Sequence, residues 1–547
     1  MNVADTIAAI LKSEGADYLF TYPTTPLIDA CAKIGVRPLL CRQERVGVHM
    51  ADAYARTLDG TKPAVFAMQY GPGAENAFPG VATAYSDSSP ILVLPLGHPR
   101  DRAQVFPHFN IGKAFDGITK HYECLGQSQE TGAVMRRALS RLKMGRLGPV
   151  MVEVPVDVMK EEIDPTIATS HIPATIATPG VSSADIDRAA KALLNARRPV
   201  IVAGQGVLYA RASADLVALA EALAIPVMTT LEGKSAFPET HPLALGCGAI
   251  VMPGPVHQFL NRADLVLGVG TSFTRHQMNA TIPGRKTLIQ ITTDERDLNK
   301  AYSTDYPILG DATLALQALL AAVTDLGVGQ RDRHGVEREI ADSYQAWLAG
   351  WLPKLTSDET PITPYRAIWD FMKAVDPDTA IVTHDSGSPR DQITPFYRAG
   401  GPRSYLGWGK SHALGSALGL SMGTKLAAPD KFCVSFQGDA AFGMCGLDFE
   451  TAVRNEIAIT AVVWNNNSMA TEAHALPAAH EIYRVRDIRG TYAEMATAMG
   501  GHAERITDPR EIIPAYERAR RINAEGRPVL IEMMTSHEIA FSHRYGA

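Results

Sequence analysis

Asp439 and Asn466 are the two residues whose types and spacing point most directly to chemistry. Asp439 follows an apolar run at 432–437, and Asn466 comes 27 positions later, after a second β-prone run at 457–464. Carboxylate and amide oxygens suit Mg²⁺, which takes few protein ligands and leaves coordination positions for phosphate oxygens. The pair therefore predicts a metal site that also holds a phosphate group.

The elements around this pair would bring both residues to one place. Strand, tight turn, helix, strand and polar turn make one βαβ unit, which crosses over right-handed and puts both turns at the carboxyl ends of parallel strands. That edge is where open α/β sheets bind ligands. Gly438, Ala440 and Ala441 are small enough for backbone N–H groups to approach an anion closely. The alternative is an ordinary Gly-Asp-Ala turn with an N-cap aspartate.

Glu44 is a further candidate, near the other end of the chain. It follows the apolar residues 39–41 and precedes a helical pattern through Met50 and Tyr54, so we expect it at the carboxyl end of a strand, facing a crevice. Burial there would raise the pKa of its carboxyl group, which suits a catalytic acid or base. The alternative is a helix-capping or surface glutamate.

Composition narrows the class of protein. With 547 residues the chain is too long for one core, and 46% apolar and 20% charged residues are typical of a globular protein. A net charge of −6 without a basic cluster argues against nucleic acid as a partner. Six scattered cysteines are typical of reduced thiols, and no run reaches the roughly 18 apolar residues of a membrane helix. We expect a cytoplasmic protein with no membrane or nucleic-acid partner.

Helix and strand patterns alternate along the chain, which predicts an α/β fold of three consecutive doubly wound parallel-sheet domains. We place these domains at residues 1–165, 183–330 and 360–547. Linkers at about 163–182 and 326–360 separate them, and the second linker carries a docking helix around Trp347. The Gly204-Gln205-Gly206 turn of the central domain could cradle a nucleotide diphosphate, or it could be purely structural.

Four features, in the same order along the chain, resemble the thiamine-diphosphate-dependent enzymes. They are Glu44, the segment Gly71-Pro72-Gly73-Ala74-Glu75-Asn76, Gly438-Asp439 and Asn465-Asn466. The resemblance covers essentially the whole chain and is to the branch with acetolactate synthase, oxalyl-CoA decarboxylase and 2-hydroxyacyl-CoA lyase. It implies pyrimidine-binding, central and diphosphate-binding domains, with active sites between the subunits of a homodimer or homotetramer.

The resemblance also implies roles for individual residues. Glu44 would hydrogen-bond N1′ of the aminopyrimidine, and Leu414 would wedge beneath thiamine diphosphate to keep it bent. The metal ligands for Mg²⁺ would be Asp439, Asn466 and the backbone carbonyl of Ser468. The remaining cofactor contacts would be Gly387, Ser388, Gly438, Ala440 and Ala441.

Polar side chains around the reacting carbon are harder to assign, because each of them is also compatible with a structural role. The candidates are Thr24, Tyr70, Asn110, His412, Glu472 and His543. The tail from Phe541 to Tyr545 is aromatic and basic, so it could fold over the site as a lid.

Departures from acetolactate synthase bear on the small-molecule substrate, an acyl-CoA or a 2-oxo acid. Residues 271–275 stand where that enzyme has the Arg-Phe-Asp-Asp-Arg that contacts flavin, and no Gln-Trp follows Glu472. This counts against FAD, whereas the ADP part of CoA could still bind the central domain.

We predict a carbon–carbon lyase or carboligase, first a 2-hydroxyacyl-CoA lyase that reversibly forms formyl-CoA plus an aldehyde or ketone. The alternatives are acetolactate-synthase-like decarboxylating carboligation of 2-oxo acids such as pyruvate, a catalytically silent partner subunit and a nucleotide-binding oxidoreductase.

Overall fold

Three six-stranded sheets follow one another along the chain, and the described strands pair in parallel throughout. The computed structural model describes residues 1–327 and 331–543, so the last residues of the second and third predicted domains, 328–330 and 544–547, lie outside the described residues. Helices flank the sheets. The predicted α/β class with three parallel-sheet units is confirmed.

Each sheet is formed by strands that are consecutive in the chain. The first sheet, ordered β2-β1-β3-β4-β6-β5, contains β1 (Tyr18–Thr21), β2 (Arg37–Leu40), β3 (Ala64–Met68), β4 (Ile91–Gly97), β5 (His121–Cys124) and β6 (Val150–Pro155). The second, ordered β12-β11-β10-β7-β8-β9, contains β7 (Pro199–Ala203), β8 (Val227–Thr229), β9 (Ala244–Cys247), β10 (Leu265–Val269), β11 (Thr287–Thr292) and β12 (Tyr306–Leu309). The third, ordered β14-β13-β15-β16-β18-β17, contains β13 (Ala380–His384), β14 (Tyr405–Leu406), β15 (Phe432–Gly438), β16 (Thr460–Asn465), β17 (His502–Ile506) and β18 (Val529–Met534).

The α-helices fall into the same three groups. Around the first sheet are α1 (Val3–Ser13), α2 (Leu27–Lys33), α3 (Glu44–Thr57), α4 (Pro72–Ser86), α5 (Ile111–Phe115), α6 (Thr131–Lys143) and α7 (Thr166–Thr169). Around the second are α8 (Ser183–Asn195), α9 (Gln205–Tyr209), α10 (Ser213–Leu223), α11 (Gly254–Arg262) and α12 (Ala312–Asp325), followed by the linker helix α13 (Arg333–Leu355). Around the third are α14 (Pro364–Ala374), α15 (Ser388–Phe396), α16 (Ala417–Ala427), α17 (Asp439–Cys445), α18 (Phe449–Arg454), α19 (Pro477–Tyr483), α20 (Tyr492–Ala498) and α21 (Ile512–Ala524).

The first and third units pack directly against each other through α3 and α16. A Cβ added at Gly419 would lie 2.7 Å from the Val46 carbonyl oxygen, and one at Gly423 would lie 2.1 Å from the Met50 carbonyl oxygen. Such contacts leave no room for a side chain, so glycine is required for the two helices to approach this closely. One hydrophobic cluster continues across this contact and fixes α3, and with it Glu44, relative to the third unit.

The linker helix and the C-terminal tail tie the central and third units together. In α13, as predicted, Trp347 docks by stacking on Phe396 at 4.9 Å between ring centroids. Its indole Nε1 donates to Ser542 Oγ at 2.8 Å, and that hydroxyl donates to the Met252 carbonyl oxygen at 2.7 Å. At the other end of the tail, His537 Nε2 lies 2.7 Å from the Asn466 carbonyl oxygen. In the described ranges, no helix combines the length and apolarity needed to cross a membrane.

Candidate active site

Three neighbouring strands of the third sheet end in the residues predicted to hold the cofactor. β13, β15 and β16 lie side by side, and Gly387-Ser388, Asp439 and Asn466 follow their carboxyl ends. The register pairs Gly438 with Trp464, so the last two loops leave the sheet at the same level. The structure therefore brings these predicted metal and diphosphate residues, with Ala440 and Ala441 in the first turn of α17, to one sheet edge.

Asp439 is the acidic group at this edge, and it is 3% exposed. Its Oδ1 accepts a hydrogen bond from the Ala440 N–H at 2.8 Å, while Oδ2 has no partner of good geometry among the described residues. Burial raises the pKa of this carboxyl group, and the backbone N–H groups of Ala440 and residues 466–468 offset part of the rise. An unpaired buried oxygen costs about 1–3 kcal/mol or more, so this oxygen fits a bound cation.

The two adjacent asparagines have different surroundings. Asn465 is fully buried, and its Nδ2 donates to Glu532 Oε1 at 2.6 Å, so it stabilises the sheet edge. Asn466 lies beyond the strand, and its Oδ1 accepts the Ser468 N–H at 2.9 Å. Asn467 takes the left-handed conformation, with φ of 55°, which turns the loop back. Asn465 is therefore engaged within the third unit, whereas Asn466, the predicted metal ligand, lies in the turn beyond the strand together with Ser468.

Gly387 and Ser388 form the start of α15. Gly387 has φ of 87°, a left-handed conformation that favours glycine. The N–H groups at a helix start suit a diphosphate. Just before them, the fully buried Asp385 accepts backbone hydrogen bonds from residues 415–417 at 3.1, 2.8 and 2.9 Å. Sequence reasoning missed Asp385, because its partners lie about 30 residues away and no local pattern marks them.

The loop that Asp385 anchors carries Leu414 and His412. The Leu414 carbonyl oxygen accepts a hydrogen bond from Arg45 Nη1 at 3.0 Å, which brings it next to the start of α3. His412 has φ of 43°, and its Nε2 lies 3.4 Å from the side-chain nitrogen of Gln277 in the central unit. Leu414 is thus held beside the helix that begins with Glu44, whereas His412 lies at the boundary with the central unit.

Glu44 is the first residue of α3 and is 3% exposed. Burial raises the pKa of its carboxyl group, and its own backbone N–H and the Asn76 side-chain amide offset part of the rise. Gly73 lies close to it, since a Cβ added there would be 3.5 Å from Glu44 Oε1 and 2.9 Å from Gln69 Cγ. The absence of a side chain at Gly73, the second residue of α4, therefore leaves space beside a buried, protonatable carboxyl group.

Other candidates of the first unit lie along the same sheet edge. Thr24 has φ of 100°, a strained conformation for a β-branched residue, and its Oγ1 is 3.3 Å from Gln69 Oε1. Tyr70 is 38% exposed and contacts the ring of His98, a residue that sequence reasoning did not single out. Asn110 accepts the Lys113 N–H at 2.9 Å and so caps α5.

Two candidates near the C-terminus have different positions. Glu472 lies in a half-buried single-turn helix four residues after Ser468. His543 does not lie with the metal residues, because its ring stacks on His257 of α11 at 4.4 Å. The described part of the predicted lid, 541–543, thus lies against the central unit, and residues 544 and 545 lie outside the described residues.

A cavity of 280 Å³ opens at the carboxyl edge of the central sheet. Its lining includes the turns after three strands of that sheet, namely Gly204-Gln205-Gly206, Gly270-Thr271-Ser272 and Thr293-Asp294. At one end the cavity reaches Lys410, which comes two residues before His412. Lys410 Nζ lies 2.7 Å from Glu232 Oε1. The Gly-Gln-Gly turn therefore lines a real cavity, which adjoins the loop of Leu414.

Comparison with known proteins gives matches along most of the chain. Models of thiamine pyrophosphate (thiamine diphosphate) enzymes match as the N-terminal TPP binding domain at 1–129, the central domain at 186–319 and the C-terminal TPP binding domain at 385–533. The probable acetolactate synthase large subunit of Methanocaldococcus jannaschii is 29% identical, over 98% of this chain and 92% of that protein. The acetolactate synthase isozyme 3 large subunit of Escherichia coli is 29% identical, over 85% and 82%.

Fold and matches together define a three-domain enzyme that uses thiamine diphosphate. The chain belongs to the thiamine-diphosphate-dependent enzyme family, in its acetolactate-synthase-like branch, as the sequence motifs predicted. Its reaction concerns carbon–carbon bonds. The residues present also fit the cofactor, because the unpaired Asp439 Oδ2 and the helix start at Gly387-Ser388 lie at one sheet edge.

Proposed function

We propose that this enzyme is a Mg²⁺-dependent carboligase that decarboxylates a 2-oxo acid and joins the remaining acyl carbon to a second carbonyl compound. The names of the relatives favour this reaction over the 2-hydroxyacyl-CoA lyase that the sequence placed first. The observation that carries the proposal is the buried Glu44 at the edge of the first sheet together with the unpaired Asp439 oxygen at the edge of the third.

Each of these residues has a defined part in the proposed reaction. Asp439, Asn466 and the Ser468 carbonyl would hold Mg²⁺, and the N–H groups of Gly387 and Ser388 would bind the diphosphate. Bound thiamine diphosphate supplies the nucleophile and the electron sink. Glu44 would hold a proton beside the ring nitrogen N1′, and burial raises the pKa of its carboxyl group, which favours the protonated form.

The complete site lies between two copies of the chain in this proposal. Exposed apolar side chains occur near both edges, which is typical of surfaces covered by a partner. On the first unit they are Phe78 and Phe106, and on the third unit Met444, Leu447, Ile482 and Tyr483. A homodimer or homotetramer would bury them, and a monomer would be inactive.

The central cavity is proposed to bind a nucleotide. Its glycine turns allow a diphosphate to approach the backbone, and Asp294 and Asp311 could accept ribose hydroxyl groups. The ADP part of a nucleotide or CoA fits this chemistry, and residues 271–275 depart from the flavin-contacting pattern. This cavity is the observation that keeps 2-hydroxyacyl-CoA cleavage as the second candidate.

A pair of measurements tests both candidates. Denaturing the purified protein and measuring the mass and absorbance of released molecules distinguishes thiamine diphosphate, FAD, ADP and CoA. Pyruvate turnover is then compared with cleavage of lactoyl-CoA, with both thiamine diphosphate and Mg²⁺ supplied. We expect CO₂ release from pyruvate. Cleavage of lactoyl-CoA without pyruvate turnover would overturn the proposed carboligation and favour the lyase.

A further inference from the structure

Three aromatic rings lie in a row at the carboxyl edge of the first sheet. The ring centroids of Tyr70 and His98 are 4.7 Å apart, and His98 stacks on His108 at 4.4 Å with an interplanar angle of 8°. Tyr70 follows β3 and His98 follows β4, which is the neighbouring strand. We call Tyr70, His98 and His108 the ring stack.

The 99–110 loop holds His108 against His98 with its own backbone. His108 Nδ1 is 3.0 Å from the Arg102 carbonyl oxygen, and the His108 N–H donates to the Val105 carbonyl oxygen at 2.9 Å. Because a carbonyl oxygen only accepts, Nδ1 is the protonated nitrogen of this imidazole. Its Nε2 has no hydrogen-bond partner among the described residues and is available to a ligand.

The ring stack lies on the same sheet edge as Glu44. β2, β1, β3 and β4 are consecutive in the sheet, and Glu44, Thr24, Tyr70 and His98 follow them in that order. Neighbouring strands are about 4.8 Å apart, so the stack begins about 10 Å along the edge from Glu44. Tyr70 is 38% exposed, which leaves this side of the crevice open to an incoming molecule.

Among the described residues, the side chains that act on the pKa of His98 are basic. Burial lowers the pKa of His98, and the neighbouring His108 and Arg102 lower it further. Arg102 has Asp101 as a hydrogen-bond partner at 3.2 Å, and both side chains are largely exposed. An anion next to His98 would favour the imidazolium form, so its binding would take up a proton.

We propose that the ring stack and Arg102 bind the carboxylate of the 2-oxo acid substrate and so select charged over uncharged carbonyl compounds. The proposal rests on the proposed function and names the substrate-recognising residues of that site. An imidazolium and a guanidinium are strong hydrogen-bond donors to a carboxylate, and their bonds are charge-assisted. The only chemical change is transfer of one proton from solvent to His98, and the stack binds the substrate without taking part in bond making or breaking.

Kinetics of the holoenzyme test this role. His98→Phe keeps a ring in the stack and removes its hydrogen bonds, while His98→Gln keeps a polar group and removes the ring. We expect both variants to raise KM for pyruvate about tenfold, the loss expected for a charge-assisted hydrogen bond, with kcat within about twofold. His121→Gln is the matched control, because His121 lies in the same unit at β5 and should leave KM unchanged.

A binding measurement decides the proposal even without turnover. Lactate is a carboxylate that lacks the reactive carbonyl, and lactamide is its uncharged counterpart. Calorimetric titration of the holoenzyme in two buffers of different ionisation enthalpy should show lactate binding with proton uptake near pH 7, absent for lactamide. His98→Phe should abolish the uptake. If the uptake or the pyruvate KM is unchanged in His98→Phe, the proposal is wrong. If the wild type ignores pyruvate but takes up a proton with lactate, the proposed function fails while the carboxylate site stands.

Discussion

Glu44→Gln removes one ionisable group from the first sheet edge and almost none of its volume. A positioned acid or base contributes about 10²–10⁴-fold, so kcat should fall by that factor, about 3–5 kcal/mol in activation free energy. The same change should not weaken the fold. Burial raises the pKa of Glu44 in the folded protein above its value in the unfolded chain. The stability that the protonated Glu44 contributes is therefore fully present at pH values below the pKa of the unfolded chain. It is lost as pH rises through the pKa of the folded protein.

The two effects can be measured separately. Initial rates of CO₂ release give kcat, and Tm at pH 8 and pH 4 gives stability. Gln carries no charge at either pH, so the variant should match or exceed the wild-type Tm at pH 8 and lose that advantage at pH 4. Glu130→Gln, an exposed position in the same unit, should change neither quantity. A near-normal kcat, or a Tm clearly below wild type at pH 8, would refute the reasoning.

Three further predictions concern the metal, the packing of the units and pH. Asp439→Ala removes the unpaired oxygen, so the rise in Tm on adding Mg²⁺ and thiamine diphosphate should disappear; an unchanged rise would exclude it as a ligand. Gly423→Ala places a Cβ 2.1 Å from the Met50 carbonyl oxygen and should cost about 1–3 kcal/mol in urea unfolding. Gly350→Ala, which meets no neighbouring atom within 4 Å, is the control and should be neutral or stabilising. Burial raises the pKa of Asp87 to about 6 in the folded protein. The Tm of the wild type should therefore fall relative to that of Asp87→Asn as pH rises from about 4 to 6. A difference in Tm between the two proteins that stays constant over this range would contradict the prediction.

The sequence predicted the buried strands well because their apolar runs are continuous. β3 and β4 are buried at every residue, as strands covered on both faces should be. β5 and β17 were not predicted, because these edge strands are half-exposed and carry charged residues. The helical pattern through Leu447, Phe449 and Val453 is confirmed as a 3-10 turn that leads into α18. The sequence did not predict the break before it at Gly446, where a Cβ would lie 2.6 Å from the Phe442 ring.

The candidate site was predictable where its residues are close in sequence to a strand end. Asp439 and Glu44 come within three residues of the end of an apolar run, so the rule for parallel sheets places them at a carboxyl edge. Asp385 and His98 were missed for a different reason. Asp385 is held by backbone N–H groups about 30 residues away, and His98 stacks on the ring of His108 across a loop. Both contacts arise from tertiary packing, which no local sequence pattern reveals.

The tail connects the loop that carries Asn466 to the central unit. It is fastened to the Asn466 carbonyl oxygen by His537 and to the central unit by Ser542. A displacement of the central unit could therefore be transmitted to this loop through the tail. A purification tag fused to the C-terminus could disturb the contacts of this tail. The amount of cofactor retained should therefore be compared between N-terminally and C-terminally tagged protein.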